Sequence, residues 1–330
     1  MLRLIAPLIA LTVLAAPAFA ACQGNDLRPA MDMDQQARLA ERLDGRPYST
    51  GNHWTAEKDG ERLHLIGTVH LQDPRLDAPV ARLTPLIESA AMVLVELTTQ
   101  GRDALTASMA REPGIMILQD TTLPELMTED DWQLLSSAVT ARGVPPFVAA
   151  KFQPWYVSML LSMPACLAQD LATQQGLDFQ IETRADAAGV PTRALEDFDA
   201  AIRIFGEIPI EVQITMLRAA LIAPEGAEDL LETLMAAYAE ERHAESWLVT
   251  TLLAAGADGV SDTQNDAAEA AFEQRLLTER NIAWIPVIEQ ALADTDGPVI
   301  AAFGAAHLSG ENGVLNLLAQ KGYRLTRQPF

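Results

Sequence analysis

The chain has 330 residues, is 49% hydrophobic and carries a formal net charge of −22 at pH 7. That length suits one large domain, or a core domain with an insertion, and the apolar content is enough for a sizeable core. The charge excludes nucleic acid and anionic lipid as electrostatic partners, because both would be repelled.

Residues 1–20 read as a secretory signal. Arg3 supplies the positive end, Leu4 to about Ala16 the apolar run, and Ala18-Phe19-Ala20 the small-residue site, so cleavage is expected between Ala20 and Ala21. The run falls short of the roughly 20 residues that span a bilayer, which disfavours a retained anchor. A lipid anchor on Cys22 is the lesser alternative, since Phe19 suits a lipidation signal poorly. No later stretch is apolar for long enough to span. The mature chain, residues 21–330, is therefore expected in the periplasm or outside the cell, with no stable membrane insertion. Cys22 and Cys166 are the two cysteines. In an oxidising compartment they are candidates for one disulfide, the alternative being a free Cys22 and a buried Cys166.

Met31 to Leu43 is a polar amphipathic stretch. His53 to Glu57 reads as a strand, Lys58-Asp59-Gly60-Glu61 as a hairpin turn and Arg62 to Val69 as the returning strand. That second strand runs into Gly67-Thr68-Val69-His70. Pro79 to Ala90 has helical apolar spacing at Val80, Leu83, Leu86 and Ile87, and Ala91 to Leu97 is a short apolar run that reads as a buried parallel strand. From Asp103 to about Leu292 helical patterns dominate, interrupted by a short strand within residues 191–196 that ends at Glu196. Pro298 to Phe303 is a strand ending in Gly304-Ala305-Ala306-His307. A helix (Asn312 to Lys321) and a last strand (Tyr323 to Thr326) close the chain. The pattern predicts an α/β fold, a central mixed and largely parallel sheet with a large helical insertion.

Three apolar strands thus end in a side chain that can bind metal or move protons: His70, Glu96 and, after the third, His307. In parallel sheets, sites form at the carboxyl ends of strands. Two neutral imidazoles and a carboxylate make a usual set for divalent zinc, manganese or cobalt, and water bound to such an ion is acidified enough to attack a carbonyl. Glu196 joins them if its strand belongs to the same sheet, and it could take a proton. Taken singly, either Gly-x-x-His is more often a strand-end histidine bonded to backbone, and Glu96 alone could be a capping or salt-bridge carboxylate. The glycines are read as letting the backbone turn sharply and a ligand approach. His53, His64 and His243 read as structural or surface, although His64 shares strand parity with Ile66 and His70.

These blocks resemble the TraB/PrgY/GumN family, which is related to the Tiki proteases. The resemblance rests on Leu65-Ile66-Gly67-Thr68-Val69-His70, Val93-Leu94-Val95-Glu96-Leu97, Lys151-Phe152-Gln153-Pro154-Trp155 and Gly176-Leu177-Asp178. It continues through Ala194-Leu195-Glu196, Glu279-Arg280-Asn281 and Phe303 to Gly313. The blocks lie in order and cover nearly all of the mature chain. The resemblance implies a fold like the erythromycin-esterase/ChaN group. It also implies a metal set of His70, Glu96 and His307, with Glu196, Arg280 and Asn281 at further motif positions. Arg280 would be an oxyanion clamp or a carboxylate partner, and an ordinary helix salt bridge is as good a reading. The Wnt substrate of the Tiki proteins does not carry over, since those relatives are tethered to membranes.

Two functions follow as expectations: an exported metal-dependent hydrolase acting on a peptide or protein substrate, or a non-catalytic protein that sequesters a peptide or small ligand. A serine hydrolase is disfavoured because no Gly-x-Ser-x-Gly elbow is present, and His-Glu-x-x-His is absent too.

Overall fold

At the predicted hairpin, Asp59 and Gly60 both take positive φ, 52° and 92°, as a tight turn between twisted strands requires. The turn joins β1 (His53–Lys58) to β2 (Glu61–Thr68). A computed structural model describes residues 22, 24–167, 176–222, 226–255, 270 and 273–330. The expected leader and its cleavage point lie outside them. The remaining strands are β3 (Met92–Val95), β4 (Thr192–Ala194), β5 (Val299–Gly304) and β6 (Arg324–Arg327).

The six strands form one sheet in the order β4-β3-β5-β2-β1-β6. β4, β3, β5 and β2 run parallel, and β1 and β6 are antiparallel additions at one side. Four parallel strands therefore deliver their carboxyl ends to one edge. Thr192–Ala194 does join the sheet, so Glu196 reaches that edge as well.

Both faces of the sheet are buried, which explains the unbroken apolar runs in β3 and β5. On one face Leu65, Leu94, Ala301 and Phe303 meet Trp284 and Ile288 of the helix Arg280–Ala293 and Leu315 of the helix Val314–Gln320. On the other, Ile66, Val93 and Ile300 meet Leu83 of the helix Asp77–Glu88 and Ile181 of the helix Leu177–Ala188. Each such side chain contributes about 1.5–3 kcal/mol relative to exposure.

The long helical stretch is not one unit. Helices Leu177–Ala188 and Arg280–Ala293 lie against the sheet, whereas Leu118, Leu135, Val157 and Leu217 belong to a separate helical core. The amphipathic stretch near the start forms the helix Met33–Leu43, begun by an Asp32–Gln35 capping box, and packs through Leu39 on Leu248 and Val249. Cys22 and Cys166 are joined in a disulfide across 144 residues, which ties the start of the described chain to the helical part. Among the described residues, no helix is long and apolar enough to cross a membrane.

Candidate functional site

The carboxyl edge of the parallel strands opens into a cleft of about 1030 Å³ whose lining includes His70, Glu96, Asp178, Glu196 and Arg280. Glu96 leaves β3, Glu196 leaves β4 and His307 lies in the turn Ala305–His307 after β5. The sheet thereby brings Glu96 within hydrogen-bond reach of Gly304, 208 positions later in the chain.

The centre of the cleft floor is the guanidinium of Arg280, from the first turn of the helix Arg280–Ala293. Its Nε and Nη2 donate to the two oxygens of Glu196 at 2.9 and 2.6 Å, and Nη2 also donates to Glu96 at 2.5 Å. Nη1 donates to the Leu276 carbonyl at 3.1 Å and faces His307 Nε2 at 3.3 Å. A guanidinium has five N–H donors, and all five are engaged. Arg280 is thus the carboxylate partner of the two alternatives, with no donor left to clamp an oxyanion.

The acceptors are equally occupied. Glu96 Oε1 takes the Gly304 N–H at 2.5 Å, and Glu196 Oε2 takes the Trp284 Nε1–H at 3.1 Å. The Trp284 ring also lies 4.4 Å from the His307 ring, centroid to centroid. His307 is buried, and its Nδ1 lies 2.6 Å from Asn281 Oδ1. An amide oxygen only accepts, so Nδ1 carries the hydrogen and Nε2 offers its lone pair to Arg280. Burial pushes His307 down to about 3, which keeps it neutral. Burial also acts against the charge of Glu96, but the imidazoles, Arg280 and the Gly304 amide outweigh it and hold the carboxyl down to about 2.

His70 is different. It follows β2 into the cleft, its side chain is 66% exposed, and its Nδ1 lies 3.2 Å from Asp178 Oδ2. That contact raises the imidazolium to about 9, against a smaller opposing effect of burial. No partner for Nε2 exists among the described residues. The backbone of His70 is fixed from below: a Cβ on Gly176 would come within 2.5 Å of the His70 carbonyl carbon, and Leu177 donates to Val69 at 2.9 Å. Asp178, one residue further into that helix, is thereby aimed at the ring.

The donor types named for a metal are all in or beside the cleft, yet their arrangement does not fit a divalent ion. Glu96 and His307 Nε2 already face a positive guanidinium, and His70 is bound to Asp178. Among the described residues, no group of three His, Cys, Asp or Glu is placed to hold a metal ion.

The remaining histidines are structural, as expected. His64 does not face the cleft; it turns to His53, with Nδ1 3.1 Å from His53 Nε2, and His53 Nδ1 meets the Pro329 carbonyl at 3.1 Å. His243 is buried with Nε2 3.0 Å from the Tyr48 carbonyl. Gly67 serves packing more than ligand approach, since a Cβ there would meet Leu308 Cδ1 at 2.5 Å and Ala305 at 3.0 Å, whereas a Cβ on Gly304 would lie 3.3 Å from Glu96 Oε1. Asp178 and Trp284 are the members whose roles the sequence left unassigned. Asp178 stood inside a recognised block, while nothing local marked Trp284.

Residues 52–327 match the sequence profile of the TraB/PrgY/gumN family. No curated protein matches the chain.

Proposed function

The chain belongs to the TraB/PrgY/gumN family, and on that premise we propose that it is an exported hydrolase of peptide-like substrates in which His70, held by Asp178, moves the proton. One observation carries this: a histidine in a cleft of about 1030 Å³ with one ring nitrogen on a carboxylate and the other unpartnered among the described residues. Export is supported by the sequence of residues 1–20, which reads as a secretory leader, and by the Cys22–Cys166 disulfide, a bond that persists in oxidising compartments.

With Nδ1–H on Asp178, the imidazolium keeps a second N–H at Nε2. That proton passes to the leaving atom as its bond to the carbonyl carbon breaks. Water supplies the new carbon–oxygen bond, and the proton it sheds returns to Nε2. A cation with a pKa near 9 is a ready donor at neutral pH, so activity should hold through neutrality and fall as pH rises through about 9. Asp178 and the Arg280 cluster act by position, the first orienting the ring and the second fixing the ends of β3, β4 and β5.

The resemblance implies a metal-dependent version with manganese, cobalt or zinc on His70, Glu96 and His307. It requires Arg280 to leave its acceptors first. The saturation of Arg280 favours a second reading, a protein that binds a peptide or small ligand in the same cleft without turnover.

Peptide hydrolysis by the purified protein, with and without chelator and with metal content measured alongside, separates the three. Turnover should survive chelation and disappear in His70→Ala. Turnover that stops with chelator and returns with manganese, cobalt or zinc contradicts the proposal and favours the metal site. Tight ligand binding with no turnover favours the sequestering protein.

A further inference from the structure

Charge in the cleft is unevenly available. Arg75 pairs with Asp73 at 2.7 Å and Glu232 at 2.8 Å, Arg102 pairs with Glu182 at 2.5 Å, and Arg280 is taken by Glu96 and Glu196. Every arginine of the lining therefore already has a carboxylate. A substrate carboxylate or phosphate could recruit Arg280 only by stranding Glu96 in the interior, where an unpaired charge is strongly unfavourable, and at Arg102 it would share a guanidinium already bonded to Leu97, Thr99 and Glu182. His70 is the lining cation with a whole ring nitrogen, Nε2, unpartnered among the described residues, and the reaction itself uses it.

Carboxylates remain at the rim. The Asp197 side chain is 82% exposed and, among the described residues, pairs only with Arg203, at 3.7 Å. Asp77 is exposed and has no side-chain partner among the described residues. Beside Asp197 the wall turns apolar, with Phe198, Ile202, Leu97, Leu105 and Phe179 all lining the same space. Phe198 is 36% exposed although large and apolar, and large side chains left open beside a cleft mark a binding wall.

Resting on the hydrolase reading of this cleft, we infer that its substrate is a cationic peptide segment, with a lysine or arginine beside a bulky apolar residue, and that acidic segments are rejected. The apolar side chain lies on the Phe198 wall while a basic one meets Asp197 beside it, and Asp77 adds a second carboxylate to the same lining. Rejection of acidic peptides arises from the consumed arginines, which is an absence of partners as well as a repulsion.

The test uses two internally quenched peptides that share a Leu-Phe centre and differ in carrying lysine or glutamate on both flanks. Binding is measured by anisotropy and cleavage by fluorescence, on the wild type and on Asp77→Asn/Asp197→Asn. The lysine peptide should be favoured on the order of tenfold at low ionic strength. The preference should shrink in the double variant, although that variant gives up only two charges of a net −22. Were general attraction to an acidic protein the cause, the preference would persist there, and the assignment to these aspartates would fall. Equal binding and cleavage of the two peptides, or preference for glutamate, overturns the inference. If neither peptide is cut but the lysine peptide still binds more tightly in wild type alone, the hydrolase reading fails and the substrate class stands.

Discussion

The two Gly-x-x-His segments leave neighbouring parallel strands at the same edge of the sheet, and their histidines end in opposite environments. His70 is 66% exposed, bonded to a carboxylate and raised to about 9. His307 is 4% exposed, bonded to an amide and lowered to about 3. The partner of Nδ1 and the access of water decide this, since a carboxylate favours the imidazolium and burial disfavours it. The shared motif therefore distributes two tasks. One histidine faces the substrate with a proton, and the other is a neutral acceptor that closes the cage around Arg280.

Changes at five positions would break or sharpen that contrast. His70→Ala should lower kcat/KM by about 10²–10⁴-fold, the usual range for a lost acid or base. It should also lower the melting temperature below about pH 9, because the contact with Asp178 that raises the imidazolium stabilises the fold there, an effect reduced by the ring's exposure. An equal loss from both His70→Ala and His307→Ala without unfolding would erase the distinction. Arg280→Ala should destabilise by about 3–5 kcal/mol, measured by denaturant unfolding, because two inward carboxylates lose their counter-charge. Arg280→Lys should recover little, since an ammonium lacks the planar fork that reaches five acceptors. Asn281→Leu removes the acceptor of His307 Nδ1 and the donor to the Asn312 carbonyl, which lies 2.9 Å away. It should cost about 1–3 kcal/mol. Asp178→Asn is the mildest for the fold and the most informative for pH. His70 loses the carboxylate that raises it, so the upper limb of the pH–rate profile should move down from about 9 towards the ordinary imidazole value of about 6.5. A limb that stays in place would show that another group governs it.

Much of the fold was legible. The alternating and continuous apolar patterns located all six strands, and Asp59-Gly60 announced the hairpin. Strand-end placement also brought Glu96, Glu196 and His307 to one edge, because the geometry of a parallel sheet leaves little choice there. The electrostatics were not legible. Counting donors pointed to a metal, but the cation among them arrives on a helix 184 residues after Glu96, and no local pattern tells whether an arginine will reach inward. His64 is structural, as read, although strand parity alone could not name its partner: parity gives a face, and the occupant of that face, here His53, comes from the neighbouring strand. The Cys22–Cys166 pairing needed only the compartment and the even count.

Ring nitrogen shifts of His70 and His307, followed by NMR against pH in labelled protein, test the central contrast most directly. His70 should titrate near 9 and lose its raised midpoint in Asp178→Asn, while His307 stays neutral, with Nδ1 protonated, down to about pH 3. A His70 that titrates at or below the ordinary value of about 6.5, or a His307 that takes up a proton there, would contradict the account.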